Sequence, residues 1–461
     1  MSHFAFALLA AAAVTTEWPR FRGPNGTGIA ESAGVPVEFG PSKNVLWKAP
    51  SPRGVSSPAV AGGRVWITGF DKDDRIVLSF DSATGKEAWR STIKKARTES
   101  ANRVHGFASP TPATDGVNGY VFFADIGLLS FDAKGAERWR TPLGPFESIQ
   151  GHATSPVYHD GLVFLTIDQI KDSHVAAFDA ATGKMRWRKD RASGWLGGYA
   201  TPIVYEPADG PAQLIVNGAL ELTGYQAKTG ERLWWAPGVA TGPAASPALE
   251  GGVVYTVEPS DEEPQPFKSM AAFDKDKDGK IALTEVADAG MRRLFEAIDQ
   301  SVGNKDGMVD ESEWNKSFES MGKAGGLVAT RISGNGQLPA ASIMRFTRKS
   351  LPYLTAPLAY RGVLYVVRDG GILAARDLAT GKVSKEARLD GAIEKYYASP
   401  VAADGKIYLA SETGKVAVVE AGAEWKMLAV NDLDSPAYAT PAIAGGRLYV
   451  RTKDTLYCFG K

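Results

Sequence analysis

The stretch FDAATGKMRWR, residues 178 to 188, carries the pattern that decides the fold. Asp179 can accept hydrogen bonds from the backbone amides just ahead of it, and Gly183 supplies the positive φ of a tight hairpin turn. Apolar residues precede the turn, and Trp187 follows it on an outer strand, where a large ring can pack against a neighbouring sheet. The stretch therefore predicts an antiparallel β-hairpin that presents a tryptophan to an adjacent structural unit.

This hairpin recurs along the chain as part of a longer repeat. A typical copy begins with a Ser-Pro or Thr-Pro step, continues through an apolar strand and a Gly turn, and ends with the hairpin. The prolines of the step lie at positions 58, 110, 156, 202, 247, 357, 400 and 441. The turn glycine recurs at Gly85, Gly135, Gly230 and Gly381, and the tryptophan at Trp89, Trp139 and Trp234. Apart from one long interval, the spacing matches the ~40–50 residues of a four-stranded propeller blade.

Eight copies predict an all-β protein, an eight-bladed β-propeller of four-stranded antiparallel blades over residues 44–461, with a seven-bladed ring as the alternative. The last copy ends after three strands, and NVLWKAP (44–50) has Trp47 in the tryptophan position. We expect this N-terminal strand to complete the C-terminal blade, because a closed ring leaves no exposed sheet edge. Two copies depart from the pattern, with Lys385 replacing the tryptophan and Trp425 in a shortened turn, so their blades should be less tightly joined.

Composition narrows the class of function. The 461 residues include 52 Lys and Arg against 52 Asp and Glu, so no net field favours nucleic acid or an anionic membrane. Cys458 is the one cysteine, which excludes an intrachain disulfide and a cysteine-based zinc site. The sequence contains no Gly-rich phosphate loop, G-x-S-x-G elbow or zinc motif. We expect no nucleic-acid partner, and a monomer.

The N-terminus has the length and composition of an export signal. Residues 1–16 hold an apolar run from Phe4 to Val14, too short to span a bilayer, and residues 17–43 form an extension before the first strand. A disordered or misassigned start is the alternative, since no Lys or Arg precedes the run. We predict a periplasmic or secreted protein with no transmembrane segment, and with no lipid anchor because no cysteine follows the run.

The long interval between Pro247 and Pro357 contains a second motif, DKDKDGKIALTE at 274–285. It has the spacing of an EF-hand calcium loop, with oxygen ligands at positions 1, 3, 5, 7 and 12 and glycine at position 6. The predicted calcium ligands are Asp274, Asp276, Asp278, the carbonyl of Lys280, and Glu285. Ile281 at position 8 is the apolar residue that pairs with a partner loop.

A second loop follows at the distance expected for a paired EF-hand, after a segment with apolar residues at helical spacing. Its candidate ligands are Asp299, Asn304, Asp306, the carbonyl of Met308, and Glu313. Asp299 lies three residues too early for position 1, so a degenerate loop without calcium is the alternative. Val309 can pair with Ile281 in either case. We predict that residues 266–321 form an EF-hand pair inserted between the second and third strands of blade 5, on the face where the first strands begin.

The segments that lead into the first strands, here called the mouth loops, hold the chemically varied residues. Ring geometry brings these loops to one end of the central channel, where aromatic and cationic groups on a concave surface favour a ligand or peptide site. For any single residue, packing of the channel is the alternative role. His105 and His152, in adjacent blades, could approach each other, although most such histidines only form hydrogen bonds. The candidates are Arg53, Arg103, His105, Gln150, His152, Trp195, Tyr199, Lys395, Tyr396, Tyr397 and Tyr438.

The repeat FDAATGKMRWR resembles the tryptophan-docking repeat of the β-propellers related to pyrroloquinoline quinone (PQQ) proteins. The opening WPRFRGPNGTG (18–28) and LWKAP (46–50) resemble exported members of that superfamily. It includes the quinoprotein alcohol dehydrogenases and the non-enzymatic outer-membrane assembly factor BamB. The resemblance covers residues 18–461 apart from the insertion, and it implies a fold rather than one function.

Two functions follow from the resemblance. The first is an exported, calcium-binding scaffold that holds a protein or small-molecule ligand at the mouth. The second is a PQQ-dependent oxidoreductase of alcohols or sugars, for which the resemblance implies a catalytic Asp with Glu and Asn calcium ligands near the axis. We cannot match that trio to this chain, and the adjacent-cysteine disulfide of the alcohol dehydrogenases cannot form. The scaffold is therefore preferred, and no catalytic residue is assigned.

Overall fold

A computed structural model of the chain describes residues 17–101, 104, 106–148, 150–191, 197–218, 221–239, 242–259 and 266–461. These residues form seven four-stranded sheets, one five-stranded sheet and one two-stranded sheet. The eight larger sheets are antiparallel blades in chain order, which confirms the eight-bladed all-β propeller. Within the described part of the chain, no helix has the length and apolarity needed to cross a bilayer. The predicted export signal, residues 1–16, lies outside the described residues.

Blades 1 to 4 precede the insertion, and their strands run from the channel outward. Blade 1 consists of Ala59–Ala61, Arg64–Asp71, Asp74–Asp81 and Glu87–Lys94. Blade 2 consists of Ala113–Thr114, Gly119–Phe123, Gly127–Phe131 and Glu137–Pro142. Blade 3 consists of Val157–His159, Leu162–Ile167, His174–Asp179 and Met185–Asp190. Blade 4 consists of Ile203–Tyr205, Gln213–Asn217, Glu221–Gln226 and Arg232–Pro237, with Gly336–Gln337 added in parallel at its outer edge.

Blades 5 to 8 complete the ring. Blade 5 consists of Ala248–Glu250, Val253–Glu258, Gly326–Arg331 and Ile343–Thr347. Blade 6 consists of Leu358–Tyr360, Val363–Arg368, Ile372–Asp377 and Val383–Arg388. Blade 7 consists of Val401–Ala403, Lys406–Ala410, Lys415–Glu420 and Lys426–Asp432. Blade 8 consists of Ala442–Ala444, Arg447–Arg451, Thr455–Phe459 and the N-terminal strand Val45–Pro50.

The N-terminal strand closes the ring as predicted. Val45–Pro50 pairs antiparallel with Thr455–Phe459, and Trp47 lies opposite Cys458. Because the last blade combines strands from both ends of the chain, neither end leaves an unpaired edge within the ring.

The repeated tryptophans join each blade to the next one. Each ring lies against the turn glycine of the following blade, where a Cβ atom would come within 2.4–2.6 Å of the ring. The turn glycines have φ between +70° and +87°, a region that L-residues other than glycine rarely adopt. The indole N–H also donates to a carbonyl of that turn at 3.0–3.1 Å, pairing Trp47 with Ser82, Trp89 with Ala133, Trp139 with Ala180, and Trp187 with Ala227.

The docking contact can be tested at Gly183, on which Trp139 packs. We expect Gly183→Ala to lower the free energy of unfolding by about 1–3 kcal/mol more than Gly161→Ala, because the added methyl overpacks the indole contact. Gly161 is the matched control, since its φ of 74° is similar but no atom lies within 4 Å of the position of its Cβ. Urea unfolding of both variants measures the difference, and equal losses would contradict a role for this contact.

Three positions depart from the repeat. Trp234 donates to the side chain of Gln213 in its own blade at 2.7 Å, and Phe346 takes the tryptophan's place against Gly381. Lys385 donates to the carbonyl of Trp425 at 2.6 Å and lies 4.3 Å from its ring centroid, so a cation–π contact replaces the indole there. The chain therefore keeps a contact between these blades with different chemistry.

The sequence assignment of one proline was wrong. Every first strand begins directly after the proline of its repeat, and in blade 2 that strand begins at Ala113. The proline of the step is thus Pro112 rather than Pro110. The sequence SPTP contains both, and only the strand pairing of Ala113 with Tyr120 distinguishes them.

The extension before the first strand crosses the channel at the end away from the mouth loops. Its Trp18 is fully buried and exchanges two backbone hydrogen bonds of 2.7 Å with Val60. A short turn, Pro24–Gly26, follows, and Phe21 reaches the central cavity. Further contacts of the extension lie on blades 2, 4, 5, 6, 7 and 8, at Thr114, Val204, Pro247, Pro357, Ala402 and Gly446. This segment, residues 17–40, is here called the floor segment.

The insertion in blade 5 lies between its second and third strands, at the position predicted. It contains a turn at Phe267–Met270, helix α1 (Ala289–Ser301), helix α2 (Glu311–Lys323) and a two-stranded sheet that pairs Ile281 with Val309. A separate apolar cluster centred on Phe295, Ile298 and Trp314 fills it. We call residues 266–323 the inserted lobe.

Candidate functional site

The mouth loops of all eight blades surround a cavity of about 340 Å³. Phe21 of the floor segment also lines it, so this segment forms part of the cavity wall. Its described walls are uncharged and consist of aromatic, hydroxyl, amide, imidazole and small apolar groups. Such a concave surface, apolar with a few converging polar groups, is typical of ligand sites.

A ring of hydroxyl groups surrounds the cavity. In six of the eight steps, the hydroxyl of the residue before the proline accepts a hydrogen bond from the backbone amide of the equivalent residue in the preceding blade, at 2.9–3.0 Å. These six acceptors, together with Ser57, line the cavity. They are Thr111, Ser155, Thr201, Ser246, Ser399 and Thr440. The repeat itself shows these residues, since every step but one begins with Ser or Thr. The sequence analysis did not predict that their hydroxyl groups would join neighbouring blades around the channel.

The hydroxyl ring is interrupted at two seams, and a buried arginine spans each of them. Blade 6 has Ala356 at the hydroxyl position, and there Arg22 donates to the carbonyls of Pro247 at 3.3 Å and Pro357 at 2.7 Å. Between blades 8 and 1, Arg451 donates to the carbonyls of Ser56 and Thr68, each at 2.9 Å. Both guanidinium groups therefore hold neighbouring blades together where the hydroxyl contacts end.

These two arginines are charged groups without a carboxylate partner. Both are at most 1% exposed and form no ion pair with the described residues. Burial lowers the pKa of each guanidinium to about 9, still well above neutral pH. Each guanidinium is thus a buried cation whose hydrogen-bond partners among the described residues are all uncharged.

Four tyrosines and a histidine give the cavity its aromatic character. Tyr397 and Tyr438 meet edge to face with centroids 5.3 Å apart, while Tyr199 and the exposed Tyr353 line other parts of the wall. His152 packs against Phe146 at 4.5 Å, and neither of its ring nitrogens has a hydrogen-bond partner among the described residues. Burial lowers the pKa of His152 to about 4, so its imidazole is neutral at neutral pH.

The predicted mouth residues separate into three groups. His152, Tyr199, Tyr397, Tyr438 and Gln150 line the cavity. Arg53, which lies 5.1 Å from the Phe70 centroid, and the exposed Lys395 are outside its lining. The placement of Tyr396 at the mouth was wrong, because its side chain is buried between blades and its hydroxyl donates to the carbonyl of Ala392 at 2.7 Å. Arg103, His105 and Trp195 lie outside the described residues.

Within the inserted lobe, the first acidic loop brings its carboxylate groups close together. Oxygens of Asp274, Asp276 and Asp278 all lie within 4.8 Å of one another. The amide of Gly279 donates to Asp274 Oδ2 at 3.1 Å, while Asp274 Oδ1 is buried without a hydrogen-bond partner among the described residues. Glu285 accepts from the amide of Ala282 at 2.8 Å, a bond that lowers the pKa of this carboxyl and keeps it ionised.

The second loop has the same internal bonds despite its extra residues. Asp299 Oδ2 accepts from the amide of Gly307 at 3.2 Å, as Asp274 does from Gly279, and Asp299 Oδ1 is also buried without a partner among the described residues. The backbone at Gly303 passes close to Asp299 and Glu313. A Cβ atom at this position would lie 2.7 Å from the backbone of Asp299 and 2.8 Å from Glu313 Oε1. The extra residues are thus accommodated by a glycine, and Asp299 takes the first position of the loop.

The inserted lobe stands on the mouth face of the ring. Glu296 on α1 forms an ion pair with Lys171, which lies in the turn between the second and third strands of blade 3. In blade 1, the end of the second strand that leads into the same turn lies next to a mouth loop, since Phe70 of that strand pairs with Arg53. The lobe of blade 5 therefore reaches blade 3 on the side where the cavity opens.

A closed eight-bladed ring joined by tryptophan docking defines the class of PQQ-like repeat propellers. The chain belongs to the family described as outer membrane protein assembly factor BamB, which matches residues 38–170 and 171–459. No curated protein matches the sequence.

Solved structures share the fold at low sequence identity. BamB from Moraxella catarrhalis is 12% identical, with a TM-score of 0.55 over 90% of this chain and 97% of that one. Quinohemoprotein alcohol dehydrogenase from Comamonas testosteroni is 14% identical, with a TM-score of 0.60 over 98% of this chain and 81% of that one. Quinohemoprotein alcohol dehydrogenase ADHIIG from Pseudomonas putida HK5 is 14% identical, with a TM-score of 0.56 over 96% and 80%. One fold thus carries both a named assembly factor and named enzymes.

Proposed function

We propose that this protein is an exported binding protein, acting as a scaffold, that holds a small-molecule or protein ligand in its propeller mouth. The observation that supports this most directly is the cavity of about 340 Å³, whose described walls, including Phe21 of the floor segment, are rich in uncharged aromatic and hydroxyl groups. Such groups bind and orient a ligand but supply no ionised acid or base for chemistry.

A PQQ-dependent oxidoreductase is the alternative. That chemistry, as the sequence resemblance implies it, needs an Asp together with Glu and Asn calcium ligands near the axis. The described lining of the cavity contains no Asp, Glu or Asn side chain, so the quinone and its calcium do not fit these walls. We therefore derive no catalytic step for this site.

The family supports the proposed location and partner. It is described by an outer-membrane assembly factor, which favours a periplasmic protein that contacts another protein, and the apolar run in residues 1–16 favours export. We propose a monomeric, exported propeller with its partner at the mouth.

We also propose that the inserted lobe binds calcium. We assign residues 266–321 as an EF-hand pair because each loop has a glycine-bonded first carboxylate with one buried oxygen, Asp274 Oδ1 and Asp299 Oδ1, that lacks a partner among the described residues. A cation bound there would satisfy those oxygens. Extracellular calcium modules bind at ~10⁻⁴–10⁻³ M, so an exported lobe would remain loaded and act as a structural clamp rather than a switch.

Binding and turnover with PQQ distinguish the two functions. We expect no reduction of an artificial dye with simple alcohols or sugars when the full chain is incubated with PQQ in calcium buffer, whether or not PQQ binds. A quinoprotein dehydrogenase of known activity, measured in parallel, controls for the assay. Saturable PQQ binding together with turnover would overturn the scaffold proposal.

A further inference from the structure

The hydroxyl ring presents donors to the cavity. A serine or threonine hydroxyl has one proton to donate and two lone pairs to accept with. Six of the ring hydroxyls already accept a backbone amide of the preceding blade, and the described residues offer them no acceptor for their own proton. Because these hydroxyls line the cavity, a ligand with several acceptor oxygens would satisfy them.

Two buried cationic groups lie next to the hydroxyl ring. Arg22 and Arg451 border the two interruptions of the hydroxyl ring and are buried without a carboxylate partner among the described residues. In a region of low dielectric, such charges favour a nearby anion far more than they would in water. Neither arginine is among the residues that line the cavity, so their effect on a ligand is electrostatic and does not require contact.

One lining side chain has no partner of its own. His152 is 9% exposed, and both of its ring nitrogens lack a hydrogen-bond partner among the described residues. Buried polar groups are rarely left unsatisfied, so an orphaned imidazole at a cavity wall indicates a missing partner. A neutral imidazole has one N–H to donate, and it would add one more donor for a ligand oxygen.

Resting on the proposed function of this cavity, we infer that its ligand is a small organic anion. The carboxylate or phosphate group of the ligand lies on the hydroxyl ring and His152, and its apolar or aromatic part lies against Tyr199, Tyr397 and Tyr438. Offset or edge-to-face packing on these rings suits a flat ligand of the size that the cavity admits.

Three probes of matched shape test the charge requirement. Benzoate, phenyl phosphate and benzamide each carry one phenyl ring, and only the first two are anions. Isothermal titration calorimetry of the full chain at constant ionic strength is expected to show benzoate or phenyl phosphate binding at least about tenfold more tightly than benzamide, because hydrogen bonds to a charged acceptor are stronger. The tighter of the two anions identifies the oxyanion as carboxylate or phosphate.

A matched pair of variants locates the binding in the cavity. Leu354 lines the wall, is half-buried and belongs to neither the hydroxyl ring nor the floor segment. Leu354→Glu places a negative charge beside the ligand and is expected to abolish the preference for the anion, while Leu354→Gln has the same length without charge and should retain it. Thermal melting of both variants shows that the fold is kept.

The possible results distinguish a failure of the anion inference from a failure of the proposed scaffold function. Benzamide binding as tightly as both anions would overturn the anion assignment and leave a ligand-binding cavity in place. Equal anion affinity in the Glu and Gln variants would place the anion elsewhere on the protein and overturn the inference. The inference would also be overturned if none of the three probes bound. Dye reduction with PQQ would instead overturn the scaffold function while leaving an anion site in the mouth.

Discussion

Replacing Trp18 with alanine is expected to lower the free energy of unfolding by about 3–5 kcal/mol, the usual cost of removing a buried tryptophan. Trp18 is fully buried, and its ring covers Gly23, where a Cβ would lie 2.4 Å away. A cavity left there cannot collapse easily, because the backbone of Trp18 is tied to Val60 by two hydrogen bonds of 2.7 Å. Urea unfolding followed by intrinsic fluorescence and circular dichroism measures the loss.

Trp18→Phe is the control for this prediction. Phenylalanine keeps most of the apolar contact and removes an indole N–H that is buried without a partner among the described residues, so its cost should be clearly smaller than that of alanine. A loss for Trp18→Ala within about 0.5 kcal/mol, as at an ordinary surface site, would mean that the floor segment does not contribute to stability.

The same substitution bears on ligand binding. The floor segment carries Phe21 at the base of the cavity and Arg22 at the seam between blades 5 and 6. Loosening the segment at Trp18 would admit water to the base of the cavity and move a buried charge away from it. We therefore expect the affinity for the preferred anion to fall in Trp18→Ala under conditions in which the ring is still folded.

The blades could be predicted from sequence because their signals are local. A turn such as the one at Gly183 needs a positive φ that glycine provides, and the tryptophan that packs on the next turn recurs at a fixed distance. The pairing of Trp47 with Cys458 was also predictable, since the last repeat lacks one strand and the N-terminus offers it. Each of these inferences needs only the repeat and the requirement that edges be paired.

The floor segment could not be predicted in the same way. Its residues do not repeat, and their partners are spread over blades hundreds of positions apart in sequence, as with Arg22 and Pro357. The directions of adjacent side chains in the mouth loops could not be predicted either. Tyr396 and Tyr397 follow one another, yet one is buried between blades and the other lines the cavity. In a loop, the direction of each side chain is set by tertiary contacts rather than by a sequence period.

The inserted lobe shows a different limit. The first loop matches the calcium pattern residue by residue, whereas counting alone leaves Asp299 three places out of register in the second. The three-dimensional bond from Gly307 to Asp299 restores the equivalence, and Gly303 provides the room for it. The sequence therefore named Asp299 as the candidate first residue of the second loop, but spacing alone left open whether a lengthened loop could keep it there.

Calcium is expected to stabilise the inserted lobe by about 2.7 kcal/mol for each loop at a concentration of about 100 times its dissociation constant. Glu285→Gln and Glu313→Gln each replace a two-oxygen anionic ligand by an amide with one oxygen, and each should lower affinity at its own loop by at least about tenfold. Lys275→Gln and Lys305→Gln alter loop residues that are not ligands, so they should retain calcium binding. Isothermal titration calorimetry and melting with and without chelator measure both effects.

The pair of glutamate variants also decides how many ions the lobe holds. Because Asp274 and Asp299 each keep one buried oxygen without a partner among the described residues, we expect the wild-type chain to bind two ions and each variant to bind one tightly. A stoichiometry of one in both the wild-type chain and Glu313→Gln would mean that the second loop is a structural partner only. An unchanged melting profile on adding chelator to the wild-type chain would contradict the clamp itself. Since Glu296 of the lobe pairs with Lys171 in a turn of blade 3, comparing anion affinity with and without calcium then shows whether the clamp also affects the mouth.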